Sequence, residues 1–407
     1  SPRSPWMGND VNLGMTMGGG ACGYSCRLLR EPSCRHPVLP VEGRGRRRIL
    51  VVVPVPDEDD DAQGRLLCGA GGTMMRDSLK ALGVAPKEDC WWMAAVRCRP
   101  PKGRTPMREE YLTCRSLMDR DIRSLSPKMV VLLDRLSVAS FLDGKVRDVG
   151  ELARWRGQTR PDREANCWIS CLQHPDDAEA DPMHGMIFKK DVARVIAQSR
   201  QPFPVLTPEE PKVRISTTTK EILSWMEMAN AARLLAFDYE TTGRKPQREG
   251  HRVVCASFSI DGESAYAFPL TDRDVRKEWV RMLWNKRIKK IAHNMKFEEM
   301  WSRVRLGAKV RGWHWDTMLA AHVLDNRRHS TGLKFQALIN FGVYDYNQAV
   351  EPYLEGLKSR EEAGHGANAF NRIDSCPLDK LMTYCGMDAM LEYRLAMVQM
   401  EKMGCGI

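Results

Sequence analysis

Prolines at positions 202, 204, 208 and 211 fall within QPFPVLTPEEPKVRI, residues 201–215. Each proline fixes φ and lacks a backbone N–H, so no helix can run through this stretch and a central strand cannot use it. It reads as a semi-rigid linker, 201–216. The 407 residues must therefore build a separate hydrophobic core on each side, and each side is long enough to do so. No run of about 18 apolar residues marks a membrane-crossing helix. Residues 1–20 lack the continuous apolar stretch of a secretory signal. They are expected to be a disordered lead-in, and the missing initiator Met is expected to reflect trimming.

The two sides carry different patterns. In 21–200, short apolar runs at 49–55, 91–96, 128–133 and 167–172 alternate with helical periodicity at 73–82, 108–125, 138–142 and 191–199. That alternation predicts a parallel sheet flanked by helices. In 217–407, strands are expected at 234–238, 252–259 and 264–269, with Asp261-Gly262 at a tight turn, as in an antiparallel meander. A helix at 275–284, a strand at 288–293 and a helical flank ending in 378–403 complete a mixed sheet. Both halves are thus α/β.

The chemistry of the second half begins with LLAFDYETTGRKP, where Asp238 and Glu240 are two apart at the end of an apolar strand. Residues i and i+2 of a strand share a face, so the two carboxylates can converge on one hard divalent cation. Taken alone, the pair is better read as a solvated acidic strand end. KKIAHNMKFEEMW runs from a strand into a helix and places Glu298 four residues after Asn294; LMTYCGMDAMLEY places Tyr384 and Asp388 four apart on a helix. Singly these are a charged helix face and a hydrogen-bonded pair. Together, in this order, they resemble the DEDD exonucleases in their Tyr-x-x-x-Asp form. The likeness is to the proofreading domain of family A (polymerase I-type) DNA polymerases. It spans about 217–403 and includes WDTMLAAHVLD and GLKFQALINFGV, residues 315–325 and 332–343.

The resemblance implies an RNase H-like fold in which Asp238, Glu240, Glu298 and Asp388 bind two Mg2+ or Mn2+ ions. Tyr384 would orient the attacking water in two-metal phosphodiester hydrolysis. Asn294 would lie beside the DNA. Glu298 stands where the family has Asp, one methylene longer. The implied substrate is a single-stranded or frayed 3′ end, from which 5′-mononucleotides are released. In the family the polymerase domains follow the exonuclease helix, so the resemblance implies either a separate family A polymerase chain as partner or a sequence that is part of a longer one.

The first half is rich in thiols. Thirteen cysteines without an export signal point to metal or cluster ligands and buried thiols rather than a disulfide framework. MAAVRCRPPKGRTPMREEYLTC supplies Cys98 and Cys114, and ACGYSC supplies Cys22 and Cys26. Four thiolates from two distant pairs can close a tetrahedral Zn2+ site or hold an iron–sulfur cluster. With GRLLCGAGGTMMRDSLKALGV (64–84), LSPKMVVLL (125–133) and QHP (173–175), this half resembles the family 4 uracil-DNA glycosylases over 21–199. The resemblance implies a [4Fe–4S] cluster on Cys22, Cys26, Cys98 and Cys114, with Cys34 as an alternative ligand and Zn2+ as an alternative metal.

The glycosylase pocket departs from its family. Val53 and Pro54 stand where Gly and the catalytic Glu belong, Leu67 replaces the stacking aromatic, and Ala94 replaces the Asn that reads uracil. Only His174 of the pocket residues survives. A pocket stripped of its hydrogen-bonding groups loses its discrimination, which implies a glycosylase fold without the activity. The acidic run 57–61 is expected to be a solvated loop. A net charge of +10 and a pI near 9.0 favour a polyanionic partner. Arg97, Arg99, Lys102 and Arg104, with His174, are the expected DNA or partner surface. The combination of halves resembles that of bacteriophage-type DNA polymerases, which implies the cytoplasm of a bacterium or of an infected bacterial host as the expected compartment. The expected function is a metal-dependent 3′–5′ DNA exonuclease with an inactive glycosylase-like module. Alternatives are a bifunctional glycosylase–exonuclease repair enzyme and a non-catalytic DNA-binding replication factor.

Overall fold

A computed structural model describes residues 26–30, 34–146, 149–204, 212–354 and 369–406. It comprises two compact units, Ser1–Asp143 with Ala165–Pro202, and Gly144–Glu164 with Phe203–Ile407.

In the first unit, β1 (Ile49–Val53), β2 (Cys90–Ala94) and β3 (Met129–Leu133) are parallel, with β1 between the other two. The strand β4 (Thr159–Asp162) belongs to the second unit's segment, and β5 (Cys167–Leu172) runs parallel beside β3. The runs ILVVV and MVVLL are buried throughout, as strands covered on both faces must be. Met75 and Leu79 of the helix Ala70–Ala81 pack on this sheet together with Phe188, Val192 and Ile196 of Pro182–Ser199.

The acidic run 57–61 is not the solvated loop expected. Asp57 caps the helix Glu58–Gln63, and Asp60 and Asp61 are buried. Asp60 accepts the Cys68 N–H at 2.8 Å, while Asp61 accepts those of Arg35 and His36 at 3.0 and 2.9 Å. These carboxylates satisfy loop amides that would otherwise be buried without partners.

The second unit is built on a six-stranded mixed sheet. Its strands are β6 (Lys212–Ile215), β7 (Leu234–Thr241), β8 (Val253–Ser259), β9 (Ser264–Pro269), β10 (Lys289–Ala292) and β11 (Trp313–Asp316), in the order β11-β10-β7-β8-β9-β6. The meander β7-β8-β9 is antiparallel, and β6, β10 and β11 each run parallel to their neighbour. Alternation along β7 sorts its side chains. Leu235, Phe237 and Tyr239 join an aromatic core with Phe258, Phe268, Trp279 and Trp301. The opposite face, carrying Ala236, Asp238 and Glu240, is the one covered by the helix Leu378–Lys402, whose Ala396 and Met400 pack on Ala236.

Two boundaries differ from the expected 21–200, 201–216 and 217–407. Residues 212–215, counted with the linker, form the edge strand β6. They lie beyond the last proline, so their amides can pair with β9. Gly144–Glu164, counted with the first domain, packs in the second unit. There Gln158 Nε2 donates to Asp325 Oδ2 at 2.6 Å, Trp155 meets the Phe335 ring edge-on at 5.2 Å, and the Tyr344 hydroxyl donates to Asp162.

The long helix seats the edge strand through Gly386. A Cβ there would lie 2.4 Å from Val213 Cγ1. Gly→Ala inside a helix ordinarily gains about 0.5–1 kcal/mol. Here Gly386→Ala is expected to cost about 1–3 kcal/mol by overpacking, measured as a lowered Tm; an unchanged or raised Tm would show that β6 is not seated on the helix.

Candidate active site

Three elements bring the acids together. Asp238 and Glu240 project from β7 toward the long helix, where Asp238 is half-buried and Glu240 buried. Asp388 and Tyr384 lie on that helix, both 6% exposed. Glu298 stands in the first turn of Met295–Leu306 and is 2% exposed. All five residues predicted from sequence for this site share one electrostatic environment. Asp388 acts on Asp238, both act on Glu240, Asp238 acts on Glu298, and Asp388 and Glu240 act on Tyr384.

Local backbone geometry aims these groups. Asn294 precedes the Glu298 helix in a left-handed conformation, φ 72°, which asparagine tolerates better than most residues. Asp316 fixes that turn from both sides. It accepts N–H bonds from Asn294 and Met295 at 3.1 and 3.0 Å and caps the next helix through Met318 and Leu319 at 2.9 and 3.1 Å. Asn294 thus has a backbone role in placing Glu298.

Four further residues enter the site without a sequence signal of their own. Lys334 donates its ammonium to the Tyr384 hydroxyl, lies 3.5 Å from Asp388 Oδ2, and sits 4.6 and 5.4 Å from the centres of the Tyr384 and Tyr346 rings. The Tyr346 hydroxyl donates to Asp388 Oδ1. Cys385 donates its thiol to Asp238 Oδ2 at 3.6 Å, and its sulfur lies within 4.8 Å of carboxylate oxygens of both Asp238 and Glu240. Glu392, one turn past Asp388, is 1% exposed. Lys334 stood in the GLKFQALINFGV string, yet nothing in its spacing pointed to Asp388.

Burial, followed by repulsion from neighbouring acids, pushes the carboxyl groups of Asp238, Glu240, Glu298 and Glu392 well above the ordinary carboxylate range. Lys334 opposes the shift at Asp238 and Glu240 but is outweighed. Burial also raises the Tyr384 and Tyr346 hydroxyls, so both are neutral phenols. His293, bonded to Thr317 Oγ1 at 2.9 Å, is lowered by burial to about 4 and is neutral. A buried cluster of acids with so little cationic compensation has the donor set and charge for hard divalent ions.

In the first unit, Cys26, Cys98 and Cys114 share one buried cluster, with half-buried Cys34 packed against it. Cys34 and Cys98 are hydrogen-bonded, and the Val38 N–H donates to Cys98 Sγ at 3.3 Å. Cys22 lies outside the described residues. The basic loop differs from expectation. Arg97 is 4% exposed and paired with Asp121 at 2.5 Å, so it presents no charge to a phosphate. Arg104 forks onto buried Glu110 at 2.5 and 2.8 Å and holds that carboxyl below its usual range, while Arg99 meets Glu58 at 3.1 Å. These are charge-assisted bonds that shape the loop. Lys102 is exposed. His174 accepts the Asp176 N–H at 3.3 Å, capping the short helix Pro175–Glu179. Val53, Leu67 and Ala94 are buried in the apolar core.

A family model for the uracil DNA glycosylase superfamily matches residues 40–196, and one described as 3′-5′ exonuclease matches residues 213–403. A type-4 uracil-DNA glycosylase of Pyrobaculum aerophilum is 29% identical over 161 residues, covering 39% of this chain and 82% of that protein. A DNA polymerase of Bacillus phage SP01 is 23% identical over 367 residues, covering 82% of this chain but only 37% of the polymerase. Among solved structures, RNase D of Trypanosoma brucei is 20% identical with a TM-score of 0.35, covering 46% of this chain and 64% of that one; a score this low carries no weight. On the two matched regions and the geometry they contain, the chain joins a uracil-DNA glycosylase superfamily domain to a 3′-5′ exonuclease domain of the family A polymerase type.

Proposed function

We propose that the second unit is a metal-dependent 3′–5′ DNA exonuclease releasing 5′-mononucleotides, and that the first is a non-catalytic DNA- or partner-binding module. The observation that carries this is the gathering of Asp238, Glu240, Glu298, Asp388 and Tyr384 into one cluster of interacting, mostly buried groups within the region matched as an exonuclease. Asp238, Glu240, Glu298 and Asp388 would hold two Mg2+ or Mn2+ ions, which when bound supply Lewis-acid charge to a scissile phosphate and to the attacking water. The Lys334 ammonium donates to the Tyr384 oxygen, which leaves the phenolic proton free to orient that water or a phosphate oxygen. Tyr346 and Lys334 hold Asp388 from both of its oxygens.

DNA is favoured as substrate because the phage DNA polymerase relative aligns across both units. The same alignment supports action alongside a family A polymerase. In the first unit, the apolar side chains of Val53, Leu67 and Ala94 offer no hydrogen bond to a base, which supports loss of glycosylase chemistry. The gathered thiols of Cys26, Cys98, Cys114 and Cys34 fit a four-thiolate [4Fe–4S] or Zn2+ site. With Cys34 as the fourth ligand, such a group would cross-link the 98–114 loop to residues 26–34.

On a 5′-labelled single-stranded oligonucleotide with Mg2+ or Mn2+, the protein is expected to give a ladder of products shortened from the 3′ end. Asp238→Ala and Asp388→Ala should abolish it, and full activity in either variant would overturn the site. A uracil-containing oligonucleotide should yield no free uracil. The raised carboxyl groups bind more protons in the folded than in the unfolded chain. Metal-free stability should therefore fall as pH rises from about 4 through the raised values. Metal competes with those protons, so the Tm gained with Mn2+ over EDTA should be larger at about pH 8 than at about pH 5.5. A gap independent of pH would argue against these acids as ligands. Anaerobically purified protein should be brown, with the visible absorption lost in Cys98→Ser and Cys34→Ser.

A further inference from the structure

We propose that Glu392 is a fifth carboxylate ligand of the cleft, binding the second divalent cation together with Glu298. This rests on the metal-dependent exonuclease function proposed above. Glu392 lies four residues after Asp388 on Leu378–Lys402, so the two acids stand one above the other on the helix face turned to β7. One of its carboxylate oxygens takes the His293 backbone N–H; Oε2 is buried and has no hydrogen-bond partner among the described residues. Glu298 Oε2 is in the same condition. The charges that act on Glu392 are, in order, those of Asp238, Glu298 and Asp388, all acidic.

Glu298 and Glu392 come from different elements, are 2% and 1% exposed, and each keeps one carboxylate oxygen without a hydrogen-bond partner among the described residues, while the charge of Glu298 acts on Glu392. Buried charge is retained in proteins where it is paired or coordinates metal. Among the described residues, no salt bridge joins a cation to Glu298 or Glu392. The bonds of Lys334 go to Tyr384 and Asp388. Asp316, the remaining nearby acid, is already met by four backbone N–H groups. Asp238, Glu240, Glu298, Asp388 and Glu392 set against one ammonium leave four negative charges, the charge that two divalent ions neutralise. The extra methylene of Glu298 relative to aspartate and the added acid at 392 then belong together, as a second-ion site of two long carboxylates reaching from Met295–Leu306 and from the long helix.

The test is a Mn2+ titration of the full chain, with free Mn2+ read by electron paramagnetic resonance. Wild type is expected to bind two ions. Glu392→Gln keeps the shape and can still accept the His293 N–H, and should keep one ion while the second weakens by at least about tenfold. Glu392→Asp should restore part of that loss, and Asp238→Ala should lose both ions. Tm in EDTA reports folding: Glu392→Gln should match or exceed wild type, because an unmet buried acid has been removed. Two ions bound with wild-type affinity by Glu392→Gln would overturn the proposal and leave the exonuclease function standing. A wild-type chain that binds no Mn2+ would overturn both.

Discussion

Carboxylates confined in a buried space repel one another, and the second unit is organised around holding five of them there. The repulsion is borne by rigid elements. The strand β7 is clamped between β8 and β10, and its far face is pinned by Phe237 and Tyr239 in the aromatic core. Trp279 Nε1 donates to the Tyr239 hydroxyl at 2.9 Å, and that hydroxyl also bonds Ser302 Oγ at 2.9 Å. Ser302 lies one turn after Glu298 on the same helix. A single buried network therefore ties the strand of Asp238 and Glu240 to the helix of Glu298, so neither can relax away from the other's charge.

The other wall is the 25-residue helix Leu378–Lys402. It supplies Tyr384, Cys385, Asp388 and Glu392 from adjoining positions of one surface, and its apolar residues pack on the sheet around them. Lys334 and Tyr346 close the site from the segment before it. Because both contact Asp388, that carboxylate is the most firmly oriented of the acids. An array set in advance in this way does not have to reorganise when charge develops on a reacting phosphate.

Much of this was legible in the sequence, for physical reasons that differ by element. Buried parallel strands such as ILVVV must be continuously apolar, and the acids of β7 and the long helix sit at spacings that strand and helix geometry dictate. Lys334, Tyr346 and Glu392 were not legible. The first two reach Asp388 through tertiary packing, and Glu392 looks in sequence like any polar residue of a long helix. Charge was the least reliable guide. Arg97 read as a surface cation but is buried on Asp121, and Asp60 and Asp61 read as solvent-facing but satisfy loop amides. Composition reports how many charges exist, whereas partners decide which of them face water.

The placement of Gly144–Glu164 has a bearing on how such a chain could arise. The polypeptide passes between its two units three times, not once. An exchange of coding sequence at the proline-rich segment would deliver an exonuclease lacking Trp155, Gln158 and Asp162, and so lacking the groups that meet Phe335, Asp325 and Tyr344. The segment Gly144–Glu164 therefore stands in sequence within one unit and packs with the other, so the two units cannot be parted by a single cut in the chain.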